Sequence, residues 1–174
     1  TYEDYEEFEQ YLIENEDHKV IGIDLCALTY NHHFDELELE ELTPDQYYQV
    51  GLYYYDQRKY DEALECFRLG EECEDVDCLC VLGYMYEKGQ GVKQNNQVAM
   101  TYYKLASDLG SVVASCNLAY FYEYGIDVEQ DYEKAYELYS LGLDEKFPRS
   151  LFSTAFFLQH GLGVEQDLEE AFYR

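Results

Sequence analysis

The chain contains no tryptophan, only two prolines and only 11 lysines and arginines, against 38 aspartates and glutamates. The resulting formal charge of −27 excludes the usual electrostatic route to nucleic acid or to anionic membranes, because phosphates are repelled at every approach. No apolar run is long enough to span a bilayer. The chain opens Thr1-Tyr2-Glu3-Asp4 without a basic stretch, so no signal peptide is visible. Without an initiator methionine, and stopping in mid-pattern at Arg174, it reads as part of a longer chain, which leaves an upstream signal peptide open. The expected compartment is the cytoplasm. Catalytic motifs are missing too: there is no Gly-x-Ser-x-Gly elbow and no His-Glu-x-x-His pair. Gly89-Gln90-Gly91 and Gly161-Leu162-Gly163 lack the lysine of a phosphate loop and follow helices, so they read as turns.

What is present is aromatic and periodic. Tyrosine occurs 21 times. From Cys78 to Gly110 runs a skeleton of Leu82-Gly83, Tyr86, Gly89-x-Gly91-Val92, Gln94, Ala99, Tyr102-Tyr103, Ala106 and Gly110. It returns 36 residues later as Leu118-Ala119, Tyr122, Gly125, Val128, Gln130-Asp131, Ala135 and Tyr139. A further 36 residues on come Ala155, Leu158, Gly161-x-Gly163-Val164, Gln166-Asp167 and Ala171. A fixed period of this size marks an array of hairpins, each burying its apolar face on its neighbours. Small residues (Gly83, Ala119, Ala155, and Ala99, Ala135, Ala171) fall where two helices cross closely. Gly89, Gly125 and Gly161 fall where a helix ends in a left-handed residue, while Val92, Val128 and Val164 can plug the loop onto the core. Asn95, Asp131 and Asp167 are placed to cap the next helix.

Of the six cysteines, Cys78 aligns with Ala114 and Ser150, Cys80 with Cys116 and Phe152, and Cys66 with Tyr102 and Leu138. Those are packing positions, so the cysteines read as small buried thiols rather than a metal or disulfide cluster. His32-His33 with Cys26 reads as a solvated turn, and His160 as a cation at a helix end. No cofactor or metal is expected.

The first 45 residues hold 15 acidic residues against one lysine. Tyr5, Phe8, Tyr11 and Leu12 predict an amphipathic helix over 1–13. Residues 18–30 predict a more buried helix, although their alternation also suits a strand, and Phe34 to Leu42 predicts a short helix. Thr43-Pro44-Asp45-Gln46 is a helix start with a capping box and proline at the first helical position. Gly51 to Ala63 is 12 residues, whereas Gly83 to Ala99 is 16, so the first hairpin has the shorter loop, Gln57-Arg58-Lys59.

Gly51-x2-Tyr54-x8-Ala63-x3-Phe67 resembles a tetratricopeptide hairpin. Leu82-Gly83-x2-Tyr86-x2-Gly89-x-Gly91-Val92, with Ala99 and Tyr102-Tyr103, resembles the Sel-1-like repeat. The resemblance covers residues 44–174 and implies an all-α fold, a right-handed α-α solenoid of helix-turn-helix repeats. Its expected parts are an acidic helical segment (1–43), a tetratricopeptide-like hairpin (44–75), Sel-1-like repeats (76–111 and 112–147) and an incomplete one (148–174). Asp127, Gly142 and Thr154 depart from the pattern, standing for a loop Gly, a helix Ala and a Leu. Family members linked to cell-wall-type antibiotics carry a regular cysteine pair in each repeat, and this chain does not.

The resemblance further implies a non-enzymatic scaffold that holds a partner along its first helices. The residues expected to face it are Cys80, Tyr84 and Glu87, then Cys116, Tyr120 and Glu123, then Phe152, Phe156 and Gln159. Tyr48, Leu52 and Tyr55 take the same part in the first hairpin. Stacked, they form an aromatic groove edged by carboxylates, suited to a basic and apolar peptide or protein. The alternatives are that these rings are inter-repeat core, or that the chain is an acidic mimic occupying a nucleic-acid-binding protein. The stop at Arg174, just after the second helix of the third long repeat begins, leaves an array end uncapped, where self-association is expected.

Overall fold

The structure, a computed structural model, describes Leu42 and residues 44–173. The helices expected before Thr43, the Thr43 cap, the His32-His33 turn with Cys26, and Arg174 lie outside the described residues. Among the described residues eight helices follow one another: α1 (Pro44–Asp56), α2 (Tyr60–Glu72), α3 (Val76–Lys88), α4 (Asn96–Asp108), α5 (Val112–Tyr124), α6 (Tyr132–Ser140), α7 (Pro148–His160) and α8 (Leu168–Tyr173). The described residues contain no strand, and the all-α helical-repeat class read from the period is the one observed. None of the described helices is long and apolar enough to cross a membrane.

Helix boundaries follow local chemistry. Asp75, Asn95, Ser111, Asp131 and Asp167 each accept a bond from the backbone N–H three residues on, which satisfies one donor of a first turn. Such a cap is worth about 1 kcal/mol. Helices α3, α5 and α7 all stop at a left-handed glycine: Gly89, Gly125 and Gly161, with φ of 68°, 64° and 66°. The loop that follows is built three times from the same bonds. The Nε2 groups of Gln94, Gln130 and Gln166 donate to the carbonyls of Glu87, Glu123 and Gln159. The N–H groups of Asn95, Asp131 and Asp167 donate to Tyr86, Tyr122 and Leu158. Asp127, standing where the other copies have Gly91 and Gly163, keeps the left-handed backbone with φ of 52°.

Two compact units divide within α4, between Tyr102 and Tyr103. In the first, Val50, Cys66, Phe67, Val81, Leu82 and Met85 are fully buried. A Cβ at Gly51 would strike the Phe67 ring, which explains the small residue there. Tyr86 and Tyr102 stack at 5.6 Å, and the Tyr102 hydroxyl donates to the Glu71 carboxylate at 3.1 Å. In the second, buried Phe157 is the hub of an aromatic cluster, with Tyr139 at 5.8 Å, Tyr132 at 6.0 Å and Tyr136 at 6.3 Å. Tyr103 adds to the same unit's core against Phe121 at 6.1 Å. Fully burying an aromatic ring contributes about 1.5–3 kcal/mol.

Helix α6 has 9 residues where α4 has 13. It ends at Ser140 with Leu141 as the C-cap residue, just before Gly142, a poor helix former, and turns carry the chain to Lys146. A Cβ at Gly142 would meet the side chains of Ser150 and Val112, so the close approach requires glycine. Cys66, Cys78, Cys80 and Cys116 are buried free thiols, as their register predicts, and Cys73 is exposed.

Candidate functional site

The partner-facing residues expected from the sequence divide by burial. In the first unit, Tyr48, Leu52, Cys80 and Tyr84 are buried, whereas Tyr55 and Glu87 are half-buried. Burial, followed by the Asp77 carboxylate, holds the Tyr48 phenol well above its ordinary pKa. The Tyr55 hydroxyl donates to Gln90 Oε1 at 2.6 Å. Lys88 draws two of the set together: its Nζ is 2.8 Å from Glu87 and 5.4 Å from the centre of the Tyr84 ring.

In the second unit, Cys116, Glu123 and Phe156 are buried, Tyr120 and Phe152 are half-buried, and Gln159 is exposed. Cys116 Sγ lies 3.3 Å from Ser150 Oγ. Glu123 accepts a 2.8 Å bond from the Tyr139 hydroxyl. The Phe156 and His160 rings pack at 4.1 Å with a 32° tilt, and the His160 Nδ1 lies 2.9 Å from the Phe156 carbonyl. Those three residues spend their polar and aromatic groups inside the unit.

The accessible face of α5 is turned slightly from the expected one. Half-buried Val113, Tyr120 and Tyr124 share it, with Asn117 falling between them at helical spacing. The same register on α7 holds Arg149, Ser153, Phe156 and His160. Arg149 Nη1 donates to Asn117 Oδ1 at 3.1 Å, and its guanidinium lies 5.6 Å from the centre of the Tyr120 ring. Tyr120 in turn pairs with Tyr124 at 4.6 Å. Asn117 is 6% exposed and Ser153 0%, yet Asn117 Nδ2 and Ser153 Oγ find no hydrogen-bond partner among the described residues. Each such group costs about 1–3 kcal/mol. The sequence reading missed Asn117, Ser153 and Arg149. The available signal was polarity inside otherwise apolar helices, at a position that the preceding repeat fills with Val81.

Among the described residues no group of three or more His, Cys, Asp and Glu is placed to hold a metal ion. Burial pushes the Cys66 thiol up to about 12, and Cys78 moves in the same direction, so neither supplies a thiolate nucleophile near neutral pH. The first unit also has an open hollow of about 460 Å³, lined by Leu64, Leu69 and Val92 together with Asp61, Glu65 and Arg68. At the far end, Leu168, Phe172 and Tyr173 of α8 are exposed. Leu168 and Phe172 stand 36 residues after Tyr132 and Tyr136, which cover Phe157.

No curated protein matches this sequence. Solved structures do. A Sel1 repeat protein from Oxalobacter formigenes superposes with a TM-score of 0.68 at 23% identity, over 71% of this chain and 51% of that one. The protein c5321, a protective antigen present in uropathogenic Escherichia coli strains and displaying an SLR fold, gives 0.72 at 24% identity, over 79% of this chain and 30% of that one. The present sequence thus spans about half the length of the first and under a third of the second. The Sel1 repeat model matches residues 76–111, 112–145 and 148–173, leaving the α1–α2 hairpin outside. Those segments make up more than half of the 174 residues, and the chain belongs to the Sel1 repeat family.

Proposed function

We propose that this protein is a non-enzymatic adaptor whose repeats hold an extended peptide segment of a basic, partly apolar protein partner. Sel1 repeat proteins mediate protein–protein interaction. The observation that carries the reading here is the half-buried Tyr120–Tyr124 pair on α5, backed by Arg149 of α7. Ring faces held in place by packing offer large contact area at little entropic cost. The charge of −27 adds long-range attraction for a basic partner and repels competing polyanions.

Binding of short random peptides to the whole protein tests this. Basic and apolar sequences should be enriched, their association should weaken as salt rises, and Tyr120→Ala combined with Tyr124→Ala should lower affinity at least about tenfold. Selected peptides that bind the double variant as tightly as the parent would show that the contact lies elsewhere.

A further inference from the structure

Asn117 and Ser153 occupy the same place in successive repeats, 36 residues apart on α5 and α7. A position serving only the core would carry an apolar side chain, as fully buried Val81 does on α3, or a polar one with its bond made, as buried Thr154 does by donating to the Ser150 carbonyl. Instead the second unit buries Asn117 Nδ2 and Ser153 Oγ, neither with a partner among the described residues. Arg149 lies at the same spot. It stands one helical turn before Ser153 on α7, bonds Asn117 Oδ1 at 3.1 Å and approaches the Tyr120 ring.

From this juxtaposition we infer that Asn117, Ser153 and Arg149 form a notch that recognises a carboxylate on the bound peptide. This rests on the peptide-binding reading above. The bond from Arg149 to Asn117 joins a guanidinium to a neutral amide through one N–H. A carboxylate takes two parallel N–H groups from the same fork, with opposite charge, and is the stronger acceptor. When the guanidinium turns to it, the Asn117 amide is uncovered, and its Nδ2 donates to the carboxylate or to a neighbouring peptide carbonyl. Ser153 Oγ, one turn along and fully buried, is reached by the same group only once the guanidinium has moved. The chain's formal charge of −27 adds selectivity, because peptides with many acids are repelled at long range. The ligand is a single carboxylate within a basic and apolar segment, from an Asp or Glu side chain or from the peptide's own free C-terminus.

The test uses the whole protein and two libraries of short random peptides, one with free C-terminal carboxylates and one amidated. Binders should share one carboxylate. If they come from both libraries the source is a side chain, and if only from the free-acid library it is the C-terminus. Arg149→Leu and Asn117→Val should each weaken these peptides at least about tenfold, the loss of one charge-assisted contact. Arg149→Lys should restore part of the affinity, since lysine keeps the charge without the fork. Circular dichroism and thermal melts verify that each variant folds, and Asn117→Val installs the residue the preceding repeat already uses. Peptides that need no carboxylate, or that bind both variants unchanged, overturn the notch. If those peptides still depend on Tyr120, the adaptor function survives without it. Should no peptide from either library bind, both readings fall.

Discussion

Tyr139 and Glu123 meet inside the second unit, where the buried phenol donates a 2.8 Å hydrogen bond to the buried carboxylate. The bond ties α6 back onto α5 across 16 residues of sequence. Removing the hydroxyl by Tyr139→Phe leaves a buried carboxyl oxygen without its donor, so a loss of about 1–3 kcal/mol in unfolding free energy is expected. Glu123→Gln keeps an acceptor oxygen for the Tyr139 hydroxyl and should cost less. Urea unfolding of both single variants and the double variant checks this, and additive losses would show that the pair is uncoupled.

Glu74, Gly110 and Lys146 are successive occupants of one repeat position, and all three have positive φ: 57°, 98° and 53°. Only the middle copy uses the residue that adopts this conformation without a Cβ penalty. Lys146→Gly should therefore raise stability by about 0.5–1 kcal/mol, and Gly110→Ala should lower it by a similar amount. Thermal melts should move by about 2–4 °C per kcal/mol for a protein of this size.

Alkaline pH should unfold this protein earlier than its neutral stability would indicate. Burial pushes the Cys66 thiol from 9.0 to about 12, and burial with the Glu71 carboxylate pushes the Tyr102 phenol from 10.0 to about 12. A folded-state pKa above the unfolded one contributes stability that is complete below the unfolded value and lost as pH rises through the folded one. The window is thus pH 9 to 12. Urea midpoints under reducing conditions should fall steadily once pH exceeds 9. The fall should persist in about 1 M NaCl, where repulsion between surface charges is screened. A flat profile in high salt would assign the loss to net charge instead.

Gly142→Ala sets helix propensity against packing. Alanine would favour extending α6 beyond Ser140, but its methyl would press on Ser150 and Val112. The steric cost of overpacking is about 1–3 kcal/mol, so net destabilisation is expected, with partial recovery in Gly142→Ala/Ser150→Gly. A more stable single variant would mean that α7 shifts without penalty.

Much of the fold was legible in the sequence because repeated backbone demands admit few residues. Left-handed helix ends took Gly89, Gly125 and Gly161, and exposed first turns took Asn95, Asp131 and Asp167. The left-handed Glu74 and Lys146 were not legible, since neither residue type announces that conformation. The site was legible only in part. Tyr120 belongs to two faces of α5, one continuing through Cys116 and Glu123, the other through Asn117 and Tyr124. Spacing alone cannot choose between them, because the neighbouring helices decide which flank is covered. They cover Cys116 and Glu123, leaving Tyr124 half-buried beside Tyr120.

The loops after α3, α5 and α7 close on themselves, each glutamine reaching back to the last turn of its own helix. Their geometry is therefore carried inside each copy and travels with it. A gene segment encoding such a copy can be duplicated, deleted or transplanted without rewriting its loop, so the array can lengthen or shorten in whole-repeat steps.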